Sequence, residues 1–181
     1  MRITGGVWAS RRVAGPGRGT QLRPTPDALR EQAFAILAQR LPGATFLDLF
    51  AGTGINSLEA LSRGAAKALL VERAPAAGAL IGRNFAVLPV PEAKWELVAR
   101  EARHALRGLA ERRIVCRLAW CDPPFASWGD GPAALALARE LGVLSPEADV
   151  VLEAPPKSEI AVPGFSVVRE LRGAFLLRVA D

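Results

Sequence analysis

Short apolar runs alternate regularly with longer helical patterns along most of this 181-residue chain. Such alternation is typical of βαβ units, which build a parallel sheet with helices on both faces. The expected strands are residues 46–50, 68–72, 95–99, 114–121, 148–153, 165–171 and 174–179, and the expected helices are residues 55–63, 76–88, 101–110 and 132–141. Only Arg172 and Gly173 separate the last two strands, and so short a loop joins antiparallel neighbours. The pattern predicts an α/β fold whose mostly parallel sheet closes with an antiparallel hairpin.

The segment before the first expected strand is strongly basic. Residues 3–22 contain short extended pieces around Gly15-Pro16-Gly17, which predicts a hairpin there. A helix follows, with Thr25 as its expected N-terminal cap and Pro26 in its first turn. Residues 1–40 hold seven arginines and two acids, so they carry the whole net charge of +5. Arginines beside Trp8 indicate contacts with nucleic-acid phosphates, unless they only solubilise an extended segment.

Composition excludes several classes of protein. The chain is half hydrophobic and 23% charged, as expected for one globular domain. Charges or prolines interrupt every apolar run, and the N-terminus lacks a signal-peptide pattern, so we expect a cytoplasmic protein with no membrane partner. Cys116 and Cys121 have an odd spacing in one expected strand, which predicts opposite faces and no disulfide. His104 is the only histidine and is expected at the surface, which excludes a catalytic triad and a multi-histidine metal site.

The motif Asp122-Pro123-Pro124-Phe125 directly follows the expected strand 114–121. The prolines fix φ and remove two N–H donors, so nearby carbonyl groups can face a ligand. The aspartate provides acceptor oxygens, and the phenylalanine provides a stacking face. This combination suits a planar group that carries an amine, such as a nucleobase edge, although a simple proline turn would have the same sequence.

A glycine loop follows the first expected strand, where residues 48–54 read Asp-Leu-Phe-Ala-Gly-Thr-Gly. Open parallel sheets bind ligands beyond the carboxyl ends of their strands, and glycines let the backbone approach a ligand closely. A dinucleotide fingerprint would need a third glycine, where this chain has Ser57. Asp48 would also repel a pyrophosphate. These features favour a ligand with an amine group.

Two acids lie at or just after the ends of the next two expected strands. Glu72 lies 20 residues after Gly52, where an acid can bind both hydroxyl groups of a ribose. Glu101 and Ala102 follow the third strand, where a carboxylate and a backbone N–H can bind an adenine edge, although Glu101 also suits the start of a helix. Together with the glycine loop, these acids predict a nucleoside with an amino-acid tail, which is S-adenosyl-L-methionine.

These motifs resemble class I S-adenosylmethionine-dependent methyltransferases that modify exocyclic nitrogens. Five segments together are similar to the bacterial 16S rRNA guanine-N2 methyltransferases, the small-subunit rRNA methyltransferase D family. They are residues 3–8 (Ile-Thr-Gly-Gly-Val-Trp), 22–25 (Leu-Arg-Pro-Thr), 50–54, 58–64 (Leu-Glu-Ala-Leu-Ser-Arg-Gly) and 122–125. The chain departs from the family pattern at Arg73-Ala74, where an aspartate is frequent, and at Glu101, where Asn or Asp is common.

The resemblance implies a Rossmann-like class I methyltransferase fold with seven strands. It also implies methylation of the N2 amine of one 16S rRNA guanine, guanine 966, in the assembled small ribosomal subunit. We expect a basic N-terminal extension over residues 1–25, a methyltransferase domain over residues 26–181 and, by default, a monomer. The candidate catalytic residues are Asp122, Pro123, Pro124 and Phe125. The candidate cofactor-binding residues are Asp48, Phe50, Ala51, Gly52, Thr53, Gly54, Glu72, Arg73, Glu101, Ala102 and Thr25, and the candidate RNA-binding residues are Arg2, Trp8, Arg11, Arg12, Arg18 and Arg23.

Other functions fit parts of the same pattern. The same chemistry on adenine N6 of DNA or RNA, or on a protein glutamine, would also use an Asp-Pro-Pro-Phe motif. A nicotinamide oxidoreductase is disfavoured by Ser57 and by the proline motif. A non-catalytic RNA-binding assembly factor with this fold would not need Asp48, Glu72 and Asp122 together.

Overall fold

A computed structural model describes residues 1–17 and 25–180; Arg18, Arg23 and the first three residues of segment 22–25 lie outside these ranges. One seven-stranded sheet has the order β3-β2-β1-β4-β5-β7-β6. Strands β1 to β5 are parallel, and β7 pairs antiparallel with both β5 and β6. The strands are β1 Thr45–Leu49, β2 Lys67–Val71, β3 Trp95–Val98, β4 Cys116–Cys121, β5 Leu144–Glu153, β6 Phe165–Leu171 and β7 Ala174–Val179. The predicted α/β fold is confirmed.

Helices cover both faces of the sheet, as the alternation predicts. One apolar layer joins the sheet to α1 (Asp27–Leu37), α2 (Ile55–Ser62) and α3 (Pro75–Ala86). A second layer joins the opposite face to α4 (Ala102–Glu111) and α5 (Asp130–Glu140). None of the helices in the described ranges is long and apolar enough to cross a membrane.

The parallel register brings five strand ends into one row. Leu49 of β1 pairs with Val71 of β2 and with Cys121 of β4. Val71 in turn pairs with Val98 of β3, and Cys121 pairs with Leu152 of β5. The residues that end or directly follow these strands therefore lie side by side; we call this edge the carboxyl edge. Chain order reverses between β1 and β4, which is where open sheets bind ligands.

The N-terminal segment contains a turn between residues 2 and 12. Arg2 and Arg12 form an antiparallel bridge, and a short 3-10 helix at Gly6–Trp8 lies between them. Ile3 and Val13 are buried in the same apolar layer as α1 and α2, which draws residues 1–13 against the domain. The second arm of the hairpin predicted around Gly15-Pro16-Gly17 lies outside the described residues, so that hairpin stays a prediction.

Two local predictions are wrong. Thr25 does not cap α1, because Pro26 occupies the cap position without a side-chain hydrogen bond and the Thr25 hydroxyl donates to Glu153 instead. Cys116 and Cys121 are free and buried, but both pack in the layer beneath α4 and α5. An irregularity in the β4–β5 register just after Cys116 cancels the alternation that their spacing implied.

Candidate active site

The glycine loop holds an unusual backbone conformation at the carboxyl edge. Gly52 and Gly54 have φ values of 54° and 75°, which glycine adopts readily. A Cβ atom on Gly54 would lie 3.1 Å from Phe85, so the loop also packs closely against α3. Phe50 has a φ of 61°, which is uncommon for a residue with a side chain and is typical of strained functional loops.

Asp48 is buried beneath this loop at the end of β1. Its Oδ2 atom accepts hydrogen bonds from the Ser57 N–H at 3.1 Å and from the Ser57 hydroxyl at 2.7 Å. Its Oδ1 atom is buried and has no hydrogen-bond partner within the described ranges. Burial raises the pKa of Asp48 to about 7, although the bonds from Ser57 oppose that rise. A buried acceptor without a partner marks a place where a ligand amine would be stabilised.

Glu72 connects the ends of β1 and β2. One carboxylate oxygen accepts the Gly52 N–H at 3.0 Å, and the other accepts the Ala74 N–H at 2.8 Å. These bonds hold the carboxylate beside the glycine loop, as the sequence pattern predicts. Each oxygen retains a lone pair, so Glu72 can still accept hydrogen bonds from two hydroxyl groups.

A cavity at the carboxyl edge brings together four of the predicted cofactor residues, namely Phe50, Arg73, Glu101 and Ala102. Glu101 is also the N-terminal cap of α4 and accepts the Arg103 N–H at 3.5 Å. The exposed His104 lies 2.9 Å from the Glu101 carboxylate. Glu101 is therefore both a helix-starting acid and part of the cavity wall.

The Asp-Pro-Pro-Phe motif continues β4 directly beside the glycine loop. The Asp122 N–H donates to the Leu49 carbonyl at 3.2 Å, which extends the pairing of β4 with β1 by one residue. Pro123 packs so closely on Gly131 of α5 that a Cβ atom there would lie 2.6 Å from the proline ring. Phe125 begins a short 3-10 helix and is 41% exposed. The motif is held rigidly, with an aromatic ring at the protein surface.

Glu153, which ends β5, is a site residue that the sequence reasoning missed. Its Oε1 atom accepts the Thr25 hydroxyl at 2.6 Å and the Trp120 Nε1–H at 3.0 Å. Its backbone carbonyl accepts the Trp128 Nε1–H at 3.0 Å. The available signal was an acid at the end of an expected parallel strand, the same position that identified Glu72 and Asp122.

Several carboxyl groups lie close together at the carboxyl edge. Burial, followed by the charges of Asp122, Asp48 and Glu153, raises the pKa of the Cys121 thiol. Burial also raises the pKa of Glu153, although Thr25 and Trp120 oppose that rise. A cluster of carboxyl groups disfavours a pyrophosphate and favours a ligand that carries positive charge.

The N-terminal motif docks onto the end of α2. A Cβ atom on Gly6 would lie 2.0 Å from the Ser62 carbonyl, and one on Gly5 would lie 2.4 Å from the Arg63 guanidinium. The Ser62 hydroxyl donates to the Gly5 carbonyl and accepts the Trp8 N–H. The motifs at residues 3–8 and 58–64 are therefore two sides of one interface.

A buried ion pair completes this interface. Arg30 and Glu59 are fully buried, with the Arg30 Nε atom 3.3 Å from the Glu59 carboxylate. The same carboxylate accepts the Thr4 N–H at 2.6 Å, and Arg30 donates to the Arg2 and Thr25 carbonyls. Arg30 is therefore a structural residue, although it belongs to the basic segment.

The candidate RNA-binding residues occupy different environments. The Arg2 guanidinium donates to Asp27 at 2.8 Å and lies 3.6 Å from Glu31, so its charge is partly neutralised. Trp8 is half-buried, whereas Arg11 and Arg12 are exposed. Within residues 1–17 and 25–180, no group of histidine, cysteine and acidic side chains is arranged to hold a metal ion.

Comparison with known proteins identifies relatives of this chain. The profile of the family described as "Conserved hypothetical protein 95" matches residues 1–173. The ribosomal RNA small subunit methyltransferase D of Escherichia coli K12 is 36% identical over 153 residues, which cover 84% of this chain and 74% of that protein.

Solved structures agree with this relationship. A hypothetical protein of Thermus thermophilus superposes with a TM-score of 0.82 at 28% identity, over the whole chain and 99% of that protein. SMU.776, a putative methyltransferase, was solved in complex with S-adenosylhomocysteine. It superposes with a TM-score of 0.66 at 17% identity, over 91% of this chain and 52% of that protein. At this low identity, the likeness supports the fold alone. This chain has a class I methyltransferase fold and belongs to the ribosomal RNA small subunit methyltransferase D family.

Proposed function

We propose that this protein transfers a methyl group from S-adenosyl-L-methionine to the N2 amine of a guanine in small-subunit rRNA, guanine 966 in the family. The observation that carries the proposal is the hydrogen bond between the Asp122 N–H and the Leu49 carbonyl, which holds the Asp-Pro-Pro-Phe motif beside the glycine loop. Membership in the family of small-subunit rRNA methyltransferase D supports an rRNA substrate.

The carboxyl edge suits this cofactor. When bound, S-adenosyl-L-methionine supplies an activated methyl group on a positively charged sulfur. The Oδ1 atom of Asp48, which has no hydrogen-bond partner among the described residues, and the glycine loop would bind the amino-acid part. Glu72 would bind the ribose, and Glu101 with Ala102 would bind the adenine. The remaining predicted contacts lie on the same loop (Phe50, Ala51 and Thr53), on the cavity wall (Arg73) and beside Glu153 (Thr25).

Asp122 and the Pro123 carbonyl would accept the two hydrogens of the target amine. The lone pair of a guanine amine is delocalised into the ring, so the amine is a poor nucleophile until hydrogen bonds draw it toward tetrahedral geometry. Phe125 would stack on the base and set its orientation, and Pro124 would keep the backbone fixed. Positioning and electrostatic stabilisation therefore supply most of the rate enhancement. Asp122 needs to remove a proton only after the nitrogen has gained positive charge.

The substrate guanine must be unstacked to enter this site. Arg11, Arg12 and the other arginines of the N-terminal segment would bind the RNA backbone around it. The small ribosomal subunit would hold the unstacked guanine and its flanking RNA in place, and a monomer of this protein would bind there. Binding through phosphates weakens steeply as the salt concentration rises.

The deciding experiment compares small-subunit rRNA from cells with and without this protein, using mass spectrometry of the nucleosides. We expect N2-methylguanosine at one position only when the protein is present. Unchanged rRNA would refute the proposal. Appearance of N6-methyladenosine instead would assign the same chemistry to an adenine.

The Asp122→Ala variant tests the role of the motif. We expect its turnover on small ribosomal subunits to fall by about 10²-fold or more, since one preorganised electrostatic contact is lost. Calorimetry with S-adenosylhomocysteine should give unchanged affinity. Glu170→Ala removes an exposed carboxyl group of β6 and serves as the control. Near-normal turnover of Asp122→Ala would refute the assigned role.

A further inference from the structure

Three arginines lie at the cavity of the carboxyl edge, on the side of the site away from the N-terminal segment. Arg73 follows β2, and Arg100 and Arg103 flank the start of α4. All three are exposed and line the same cavity. Within the described ranges, none of their guanidinium groups forms an ion pair with a carboxylate.

Several basic side chains toward the other end of the parallel strands form ion pairs. Two acids there each bind two basic partners: Glu96 contacts Arg112 and Lys67, and Asp149 contacts Arg40 and Arg178. Other exposed arginines, such as Arg117 and Arg169, also form no ion pair among the described residues. The cavity arginines differ from them because all three line one cavity at the carboxyl edge. Their positive charge has no carboxylate partner among the described residues at the edge where the substrate is expected.

Among the described residues, the acids that line the cavity form no ion pair with these arginines. Glu101 accepts the Arg103 backbone N–H and contacts His104. Asp130 also lines the cavity but forms no ion pair within the described ranges. Guanidinium groups without carboxylate partners bind phosphate oxygens well, because the planar fork donates two parallel hydrogen bonds.

We propose that Arg100 and Arg103 bind backbone phosphates of the rRNA that flank the target base. These arginines flank the start of α4, which covers one face of the sheet. Ile3 and Val13 anchor the N-terminal segment in the layer on the other face. The Asp-Pro-Pro-Phe motif on β4 lies between the two basic regions. The RNA would thus contact the protein on both sides of the site, which would hold an unstacked base in place. This inference rests on the proposed function for the identity of the RNA.

The test is the double variant Arg100→Glu/Arg103→Glu of the full chain. Methyl transfer from labelled S-adenosyl-L-methionine to small ribosomal subunits is measured over a series of KCl concentrations. We expect the KM for subunits to rise at least tenfold. Each lost phosphate contact also reduces the slope of log K for binding against log salt concentration by roughly 0.7 to 0.9. The slope for the double variant should therefore be smaller by roughly 1.5.

The double variant Arg169→Glu/Arg172→Glu is the matched control. It makes the same change in net charge at exposed positions in β6 and its turn, and it should retain the wild-type KM. Calorimetry with S-adenosylhomocysteine should give the same affinity for all three proteins. An unchanged KM and salt slope in Arg100→Glu/Arg103→Glu would overturn the inference, and so would an equal loss in the control.

Two further outcomes separate this inference from the proposed function. Loss of S-adenosylhomocysteine affinity in Arg100→Glu/Arg103→Glu would overturn the inference and assign these arginines to the cofactor. Subunit binding is measured independently by co-sedimentation. If the wild type binds subunits through these arginines but transfers no methyl group, the proposed function fails while the RNA surface is supported.

Discussion

Asp48→Asn should remove a pH dependence of stability that arises at the centre of the site. Burial raises the pKa of Asp48 from 3.8 to about 7; the hydrogen bonds from Ser57 oppose this rise, and the charges of Glu72 and Glu153 add to it. In the unfolded chain, the carboxyl group returns to its ordinary value. Between these two values the folded protein holds a proton that the unfolded chain has lost, so its stability falls as the pH rises.

The size of the effect follows from the same pKa values. One pKa unit corresponds to about 1.4 kcal/mol, so the charged carboxylate costs about 4 kcal/mol once the pH exceeds 7. About 2 to 3 kcal/mol of that loss falls between pH 5 and pH 8. The asparagine of the variant keeps an acceptor oxygen for Ser57 and does not titrate.

The assay is urea denaturation of the cofactor-free protein at pH 5 and pH 8, followed by tryptophan fluorescence. The free energy of unfolding of Asp48→Asn, relative to wild type, should increase by about 2 to 3 kcal/mol from the lower pH to the higher. Asp130→Asn changes an exposed carboxyl group and serves as the control. A difference between Asp48→Asn and wild type that is equal at the two pH values would refute the reasoning.

Three further substitutions test the packing around the site. Arg30→Met removes one of the two basic partners of the buried Glu59 carboxylate, of which Arg63 remains, and takes away the donor of the Arg2 and Thr25 carbonyls. It should cost about 3 kcal/mol, hence roughly 6 to 12 °C in Tm by calorimetry. The exposed control Arg11→Met should unfold like the wild type, and a wild-type Tm for Arg30→Met would contradict this role. Glu153→Leu leaves the buried Thr25 hydroxyl and Trp120 Nε1–H without their acceptor and should lower the free energy of unfolding, measured in urea, by about 2 kcal/mol or more. Glu153→Gln keeps an acceptor oxygen, so its free energy of unfolding should fall much less. Gly131→Ala places a methyl group against Pro123 and should reduce kcat on small ribosomal subunits by about tenfold or more without changing S-adenosylhomocysteine affinity; a normal kcat would show that the proline loop tolerates displacement.

Local sequence patterns predicted the elements of this fold well. Apolar periodicity identified all seven strands, and the two-residue loop at Arg172-Gly173 identified the antiparallel hairpin. These predictions succeed because periodicity and turn residues act over a few positions of the chain. The topology of parallel sheets then places the residues after successive strands at one edge, so Glu72 and Asp122 could be assigned to one site.

Predictions that depended on a single local rule were less reliable. The spacing of Cys116 and Cys121 implied opposite faces, but both lie in one layer, and the β4–β5 register is irregular just after Cys116. Thr25 is a residue type that often caps helices, but its hydroxyl donates a hydrogen bond to Glu153, 128 residues away. A partner at such a distance is chosen by the packing of α1 and β5, which no short pattern encodes.

Short sequence patterns were enough to predict the α/β class, the glycine loop and the position of the Asp-Pro-Pro-Phe motif, because strands, turns and prolines impose their geometry locally. The pairing of the buried polar groups depends instead on how the helices and strands pack together. Arg30 and Glu59 stabilise the docked N-terminal segment, and Glu153 joins Thr25, just before α1, to Trp120 of β4. Buried charges and donors must find partners wherever the packed elements bring them together, so these contacts emerge only when the whole chain has folded.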